Sequence, residues 1–287
     1  MREVRSILVV MEPDQAHGLA LPRASQIAST TGSELHLLVC DKRDSHDQYL
    51  KRLADQLRDE GHTVSTRQEW LDKNYQTIIE AQQAEGCGLV IKEHQPETPL
   101  KRALLTPDDW KLLRFCPCPV LMVKTASSWS GGNVLAAVDV GNSDAEHLAL
   151  HSSIVSCGYD LASLSNGALH VLSAHPSAML STVDPTYGLK ETLEERYRDA
   201  CRAFQSEYGI GDEQLHIVEG PADAIIPQVA SQLQAVVTVI GSVARTGLSG
   251  VLMGNTAEVA LDALDTDVLV LKPDDIVAHL EELAAHR

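Results

Sequence analysis

The sequence has few aromatic residues and no long apolar run. Its 287 residues include two Phe, three Trp and six Tyr, so we expect a core of aliphatic side chains. No apolar run approaches the roughly 18 residues that a membrane-spanning helix needs, so we expect no membrane span. The apolar run 7–11 is too short for a secretory signal and no small-residue cleavage site follows it. It favours a first β-strand in a cytoplasmic protein.

Basic residues are also scarce. The chain carries 23 Lys and Arg against 40 Asp and Glu, a formal charge of −17. Carboxylates repel phosphate backbones and anionic lipid, so we expect neither nucleic acid nor a membrane surface as a partner. The negative charge is unevenly distributed, since residues 1–132 carry a net charge of −2 and residues 133–287 a net charge of −15.

The sequence lacks the usual motifs of metal, redox and hydrolytic sites. Its six cysteines are irregularly spaced, and Cys116 and Cys118 flank one proline, so we interpret them as buried thiols in a reducing cytosol. His147 and His151 lie one helical turn apart without an evident third ligand, so we predict no metal site. Neither a phosphate-binding loop ending in Gly-Lys-(Ser/Thr) nor a Gly-x-Ser-x-Gly nucleophile motif is present. The paired Asp108 and Asp109 fit a helix start, where the helix dipole favours acids.

The sequence contains two copies of one pattern. Segment 118–124 matches 266–272 at an offset of 148, and segment 7–12 matches 134–139 at an offset of 127. Residues 125–133 have the Ser- and Gly-rich composition of a linker. We therefore predict a first domain over 1–124, a linker over 125–133, a second domain over 134–273 and a C-terminal helix over 274–287.

Apolar runs and helical patterns alternate in both copies. The predicted strands lie near 6–12, 35–40, 64–69, 88–93, 119–124, 134–139, 168–174, 214–218, 235–241 and 267–272. The predicted helices lie near 16–31, 47–60, 75–85, 106–115, 143–157, 190–208, 221–232 and 255–264, with a Gly220-Pro221 start signal placing Pro221 first in its helix. The strand runs are continuously apolar, as in parallel strands covered on both faces. Each copy therefore predicts an α/β domain with an open, doubly wound parallel sheet.

One glycine-rich segment follows a predicted strand of the second copy. It begins at Gly241 and leads through Gly254 into the helix predicted from 255. In open α/β sheets ligands bind at this edge, glycines allow close backbone approach, and helix N-terminal amides favour anions. The segment predicts a site for a small anionic ligand, although glycines alone can also form a loose turn.

These features resemble the universal stress protein family, in particular its tandem two-domain E-type members. Nucleotide-binding members carry Gly-x2-Gly-x9-Gly-(Ser/Thr) after the fourth strand, and here Gly241, Ala244, Gly254 and Asn255 occupy those positions. Segments 138–143 and 220–225 resemble the family's first loop and the glycine before its third helix. The resemblance covers residues 1–273.

The resemblance implies a five-stranded sheet of order 3-2-1-4-5 in each copy, with 119–124 and 267–272 paired as an internal pseudo-dimer. It also implies ATP or another adenine nucleotide, with Mg²⁺, in the second copy. Asp139 would contact adenine or ribose, while Ala137 and Val171 would line the base. The loop positions that hold ribose and phosphates are Gly241, Val243, Ala244, Gly254, Asn255 and Thr256.

Several departures from the family pattern weaken the expected affinity for ATP. Ala244 places a Cβ where the family has glycine, Asn255 replaces a hydroxyl residue, and the acidic second half repels a triphosphate. In the first copy, alignment on the flanking strands places Lys92, Gln95 and Thr106 at the loop positions. That loop contains no glycine, so we predict a lost nucleotide site with Lys92, Lys101 and Arg102 in a solvated basic loop.

The sequence thus predicts a non-catalytic binding or signalling protein of the stress response with an unidentified protein partner. Three alternatives stay open: a ligand-independent scaffold, a slow ATPase, and a binder of a hydrophobic small molecule. A higher oligomer is also compatible with the sequence. Loop 174–189 is long enough to serve as a lid or as a contact between the copies.

Overall fold

The computed structural model describes residues 4–13, 18–94, 107–141, 145–175, 190–242, 245–247, 250–252 and 255–285. Twelve strands and nine helices lie in these residues. The strands are β1 Ser6–Met11, β2 Glu34–Cys40, β3 Val64–Glu69, β4 Leu89–Glu93, β5 Val120–Val123, β6 Asn133–Ala137, β7 Leu169–His175, β8 Leu215–Glu219, β9 Ala235–Gly241, β10 Arg245–Gly247, β11 Gly250–Leu252 and β12 Asp267–Leu271. The helices are α1 Ala20–Thr31, α2 Asp47–Asp59, α3 Asn74–Ala84, α4 Pro107–Phe115, α5 Ala145–Ser165, α6 Lys190–Tyr208, α7 Ala222–Gln232, α8 Asn255–Ala263 and α9 Asp274–Ala285.

Both copies form the predicted doubly wound sheet. The first has the strand order β3-β2-β1-β4-β5 and the second the order β8-β7-β6-β9-β12, all parallel within each copy. Both orders are 3-2-1-4-5 when the strands are counted within a copy, so the predicted α/β fold is confirmed.

The two sheets join through their last strands. β12 pairs antiparallel with β5, and Leu269 lies opposite Leu121 with Val270 opposite Val120. The result is one ten-stranded sheet. A local twofold axis relates the two copies here, so that each residue of the last strands of the first copy is equivalent to the residue 148 positions later. The predicted internal pairing is therefore confirmed.

Continuous apolar runs give the sheet two buried faces. Alternate residues of β1 belong to different core layers, Ile7 and Val9 to one and Leu8 and Val10 to the other. Helices α1, α2, α5 and α6 contribute to the first layer, and α3, α4, α7 and α8 to the second. In the ten-stranded sheet the end strands β3 and β8 are the most solvent-accessible. The polar residues of β3 discourage pairing with another sheet, whereas β8 is short and exposes Ile217.

Three predicted helix bounds were wrong. Helix α1 begins at Ala20 instead of near 16. Helix α5 continues to Ser165 instead of ending at 157. Gly158 lies inside this helix and serves packing rather than termination. A Cβ at this position would lie 2.7 Å from Leu169 Cδ1, so the glycine lets α5 approach β7 closely. Pro221 precedes the first residue of α7 with an extended backbone, so it lies one position earlier than predicted.

Asp267 anchors the linker between the copies. Its fully buried carboxylate accepts hydrogen bonds from Arg23 Nε and Trp129 Nε1, both at 2.8 Å. The backbone amides of Lys124 and Thr125 donate to the same carboxylate at 2.9 and 3.0 Å. The Arg23 guanidinium also stacks over the Trp129 ring, 4.7 Å from its centroid. The junction is thus a built core rather than a loose tether.

Candidate functional site

The candidate site lies where β6 ends. β6 is hydrogen-bonded to β7 on one side and β9 on the other, and Ala137 pairs with Leu172 and Ile240. The connections from β6 and β9 leave this point toward opposite faces of the sheet, which makes it the topological switch point of the second copy. Ligands of open α/β sheets bind in the crevice at such points.

Asp139 follows β6 by two residues and is exposed. Beside it, the Val140 amide donates to Ser173 Oγ at 3.1 Å, and Ser173 shares a short hydrogen bond with the Tyr197 hydroxyl. Burial raises the pKa of Tyr197 to about 12 and nearby Asp139 adds to the rise, so this hydroxyl is protonated at neutral pH. An exposed carboxylate therefore lies next to a neutral hydroxyl pair.

Helix α6 covers this point through Tyr197. A Cβ on Gly141 would lie 2.9 Å from Tyr197 Cε2, so the glycine makes room for the ring. The His175 ring lies 5.2 Å from the Tyr197 ring. Ser173, His175 and Tyr197 were not predicted. A serine within the apolar run of β7 was a usable signal for Ser173, whereas nothing marked Tyr197 on its charged helix.

The predicted base-lining pair is not brought together. Ala137 belongs to the core layer that contains Leu172, whereas Val171 is fully buried in the opposite layer beside Ala136. Leu172, not Val171, is the residue of β7 that pairs with Ala137 and shares its face.

Gly241 ends β9 and has a packing role. A Cβ there would lie 2.5 Å from Leu150 Cδ2 and 2.9 Å from Ile154 Cδ1, so the glycine allows α5 to pack against β9. The next residue, Ser242, is buried, and its amide donates to the Leu271 carbonyl at 2.7 Å.

The rest of the glycine-rich segment is described in part. Val243, Ala244 and Gly254 lie outside the described residues, as does most of loop 174–189. Between Ala244 and Gly254 lie the two short antiparallel strands β10 and β11, which were not predicted, with Thr246 opposite Val251. Asn255 and Thr256 form the first turn of α8, so the free amides of a helix N-terminus come at the end of this segment.

The first copy differs at the equivalent point. β4 pairs Ile91 with Leu121 as β9 pairs Val239 with Leu269, so Glu93 and not Lys92 corresponds to Gly241. The predicted alignment was therefore wrong by one residue, because it did not keep the constant offset of 148. Gln95, Thr106, Lys101 and Arg102 lie outside the described residues.

The side chains near the end of β4 form internal contacts. The Leu19 amide, just before α1, donates to Glu93 Oε2 at 2.5 Å. Buried Lys92 Nζ and His94 Nδ1 lie 2.8 and 3.0 Å from the two carboxylate oxygens of Asp109. The expectation of a solvated loop was thus wrong for Lys92. Asp109 is fully buried and holds an ion pair in addition to its place in the first turn of α4.

The two histidines of α5 do not form part of a larger ligand set. No group of three or more His, Cys, Asp or Glu suited to a metal ion occurs within the described ranges. His151 is buried with its ring edge toward Phe204, 6.1 Å between centroids, and burial lowers its pKa. In the same part of the chain, no helix is long and apolar enough to cross a membrane.

The fold defines a class: tandem α/β domains paired through their last strands, each with a topological switch point at the end of its first strand. A model of the universal stress protein family matches residues 40–124 and 132–272, and the chain belongs to this family. Its membership supports a role in the stress response.

Relatives of the same length support this assignment. Universal stress protein E of Escherichia coli K12 is 29% identical over 98% of both chains. The homolog of universal stress protein E from Haemophilus influenzae is 31% identical over 90% of this chain and 84% of its own length. A solved protein of Pseudomonas aeruginosa PAO1, described as functionally unknown, is 64% identical over 100% of this chain and 99% of its own, with a TM-score of 0.93.

Proposed function

We propose that this stress-response protein binds a small anionic ligand, an adenine nucleotide such as ATP, in the crevice at the end of β6 and β9. The observation that carries the proposal is the difference between the copies. The second copy combines an exposed acid, Asp139, with a segment that leads into the N-terminus of α8. In the first copy a carboxylate of the chain, Glu93, already bonds the amide before α1.

The groups at the second site match the parts of a nucleotide. A carboxylate such as Asp139 accepts hydrogen bonds from ribose hydroxyls or from the adenine amino group. The first-turn amides of α8, at Asn255 and Thr256, donate to phosphate oxygens. Because residues 133–287 carry a net charge of −15, Mg²⁺ would offset the repulsion of a triphosphate.

Signalling would follow from the position of α6. Tyr197 lies against Gly141 and is hydrogen-bonded to Ser173, so a ligand beside Asp139 meets this helix. Binding would stabilise one placement of α6, and a partner protein would recognise the surface that results. The ligand is thus a signal and not a substrate in this proposal.

Calorimetric titration of the full chain with ATP and Mg²⁺ tests the proposal. We expect one site per chain and a loss of affinity of about tenfold or more in Asp139→Ala, because a charge-assisted hydrogen bond is worth ~1.5–3 kcal/mol. The matched control is Glu12→Ala, the equivalent acid of the first copy, which should bind like the parent chain. Gly254→Trp should abolish binding.

Other outcomes would favour other functions. Absence of heat at millimolar ATP would contradict nucleotide binding, and a native mass spectrum would then show whether an apolar passenger is bound. Steady phosphate release above the level of Gly254→Trp would indicate a slow ATPase. Partner binding that survives Gly254→Trp would indicate a scaffold that needs no ligand.

A further inference from the structure

The two thiols between α4 and β5 interact with a lysine of the other copy. Cys116 and Cys118 are buried on either side of Pro117, with 3.6 Å between their Sγ atoms. Lys272, which follows β12 from the other copy, is 8% exposed and influences the ionisation of both thiols. Its Nζ has no hydrogen-bond partner in the part of the chain that the structure describes. Burial lowers the pKa of Lys272, and interaction with Cys116 and Cys118 opposes this, so Lys272 stays charged in the interior only beside a negative partner.

The twofold relation supplies an internal comparison. Lys124 is the equivalent of Lys272, and its Nζ donates to the carbonyls of Leu261 and Leu264 at 2.8 and 2.5 Å. The positions of Cys116 and Cys118 are taken there by Leu264 and Thr266. One copy thus satisfies this lysine with carbonyls, whereas the other places it beside thiols.

The environment makes the two thiols unequal. Burial alone would raise the pKa of Cys116, but the hydrogen bond from Cys118 and the charge of Lys272 lower it below its ordinary value. Burial and the neighbouring Cys116 raise the pKa of Cys118 well above that value. Cys116 is therefore the thiol of the pair that ionises more readily, and its thiolate is the anion that would balance a charged Lys272. A thiolate is the nucleophilic form of cysteine.

We propose that Cys116, Cys118 and Lys272 form a redox site that reduces a hydroperoxide and closes a disulfide between Cys116 and Cys118. The Cys116 thiolate attacks one peroxide oxygen, so that an S–O bond forms and the O–O bond breaks. The leaving hydroxide takes a proton from Lys272 and becomes water. The Cys118 sulfur then attacks the Cys116 sulfenic acid and a second water leaves. Two thiols are oxidised by two electrons, and one hydrogen peroxide is reduced to two waters.

Helix α9 controls access to this site. It begins two residues after Lys272, and its buried Ile276 and Leu280 pack on Phe115, the residue before Cys116. This small apolar cluster touches the second core layer through Phe115, so release of α9 costs little compared with unfolding of the sheet. A positive ammonium beside the thiols disfavours a metal cation, which is why we assign redox chemistry to the pair.

The test oxidises the reduced full-length chain with hydrogen peroxide and follows each cysteine by alkylation and peptide mass. We expect the Cys116–Cys118 disulfide to form before Cys40, Cys87, Cys157 or Cys201 reacts. Cys118→Ala should accumulate a sulfenic acid at Cys116 that dimedone traps. Lys272→Met should slow the reaction by about tenfold or more because it removes the charge that favours the thiolate.

Matched variants separate this role from a structural one. Lys272→Arg keeps the charge and should retain most of the rate, and Lys124→Met should oxidise like the parent chain. Ile276→Ala should accelerate oxidation by loosening α9. Oxidation of other cysteines first, equal rates in Lys272→Met and Lys124→Met, or reaction only under unfolding conditions would each overturn the proposal.

Discussion

At the scale of the residue, several charged side chains are buried in the core. Asp267, Asp109 and Lys92 all lie inside, and each charge has a partner: Arg23 for Asp267, and the Lys92–Asp109 pair for the other two. Removing one partner of a buried pair leaves the other charge desolvated, which costs far more than losing an exposed pair. These positions therefore respond most strongly to substitution.

We predict that Asp267→Ala lowers the free energy of unfolding by roughly 3–5 kcal/mol, because it strands the Arg23 guanidinium and the Trp129 indole N–H. Urea denaturation measures the change. Asp55→Ala is the control, since Asp55 pairs with Arg58 at 3.1 Å on an exposed helix face, and we expect a change within about 0.5 kcal/mol. Equal effects of the two substitutions would show that the Asp267 network is not an anchor.

His151 makes stability depend on pH. Burial lowers its pKa from 6.5, so the unfolded chain binds the proton more readily, and stability should fall as the pH drops below about 6.5. His151→Leu should reduce this loss, as judged from urea midpoints at pH 7.5 and pH 5.5. The slope should not vanish, because burial lowers the pKa of His170 and His216 as well. An unchanged slope in His151→Leu, matching the exposed-residue control His279→Leu, would contradict this account.

Sequence reasoning placed some of the proposed site residues correctly in the fold and misplaced others for definable reasons. The positions of Asp139 and Gly241 at strand ends were predictable because an acid and a glycine directly follow apolar runs. Val171 was placed on the wrong face because an apolar run buried on both sides does not reveal which residues share a face. Strand pairing decides that, and it selects Leu172. The burial of Lys92 was missed because its partner Asp109 lies 17 residues further along the chain.

At the scale of the element, the amino-terminal end of α1 takes its acceptor from a distant strand. No side-chain cap of its own bonds the end of this helix, and Glu93 of β4 supplies the carboxylate to Leu19. We predict that Glu93→Ala lowers the free energy of unfolding by about 1 kcal/mol, the usual loss on removal of a cap. Glu93→Gln should cost less because its amide oxygen still accepts. Thermal unfolding of both variants measures this, and an unchanged midpoint in Glu93→Ala would refute the capping role.

Most elements were predicted within two residues because each is bounded by a change from apolar to polar sequence. Helix α5 exceeded its predicted end because Gly158 serves packing against Leu169 rather than termination. The short strands β10 and β11 were missed because their pairing depends on the path of the glycine-rich segment and not on apolar alternation. The composition of 125–133 indicated a linker, but not that its Trp129 would be buried against Asp267.

At the scale of the whole molecule, the sheets of the two copies form one continuous sheet. The strand edges that join the copies face each other. The remaining edges are the polar strand β3 and the five-residue strand β8, and edge strands this short offer little surface for pairing. We therefore predict that the chain is a monomer of 31.1 kDa in dilute solution. Light scattering after gel filtration measures the mass. A stable dimer would show that another surface mediates association.

The central claim is that only the second copy keeps a ligand site. Hydrogen–deuterium exchange of the full chain with and without ATP and Mg²⁺ tests this claim most directly, because it reports both binding and location. We expect protection at residues 138–141 and in the first turn of α8, with Glu12 and residues 93–94 of the first copy unchanged. Protection of the first copy, or no protection in either copy at millimolar ATP, would contradict the account.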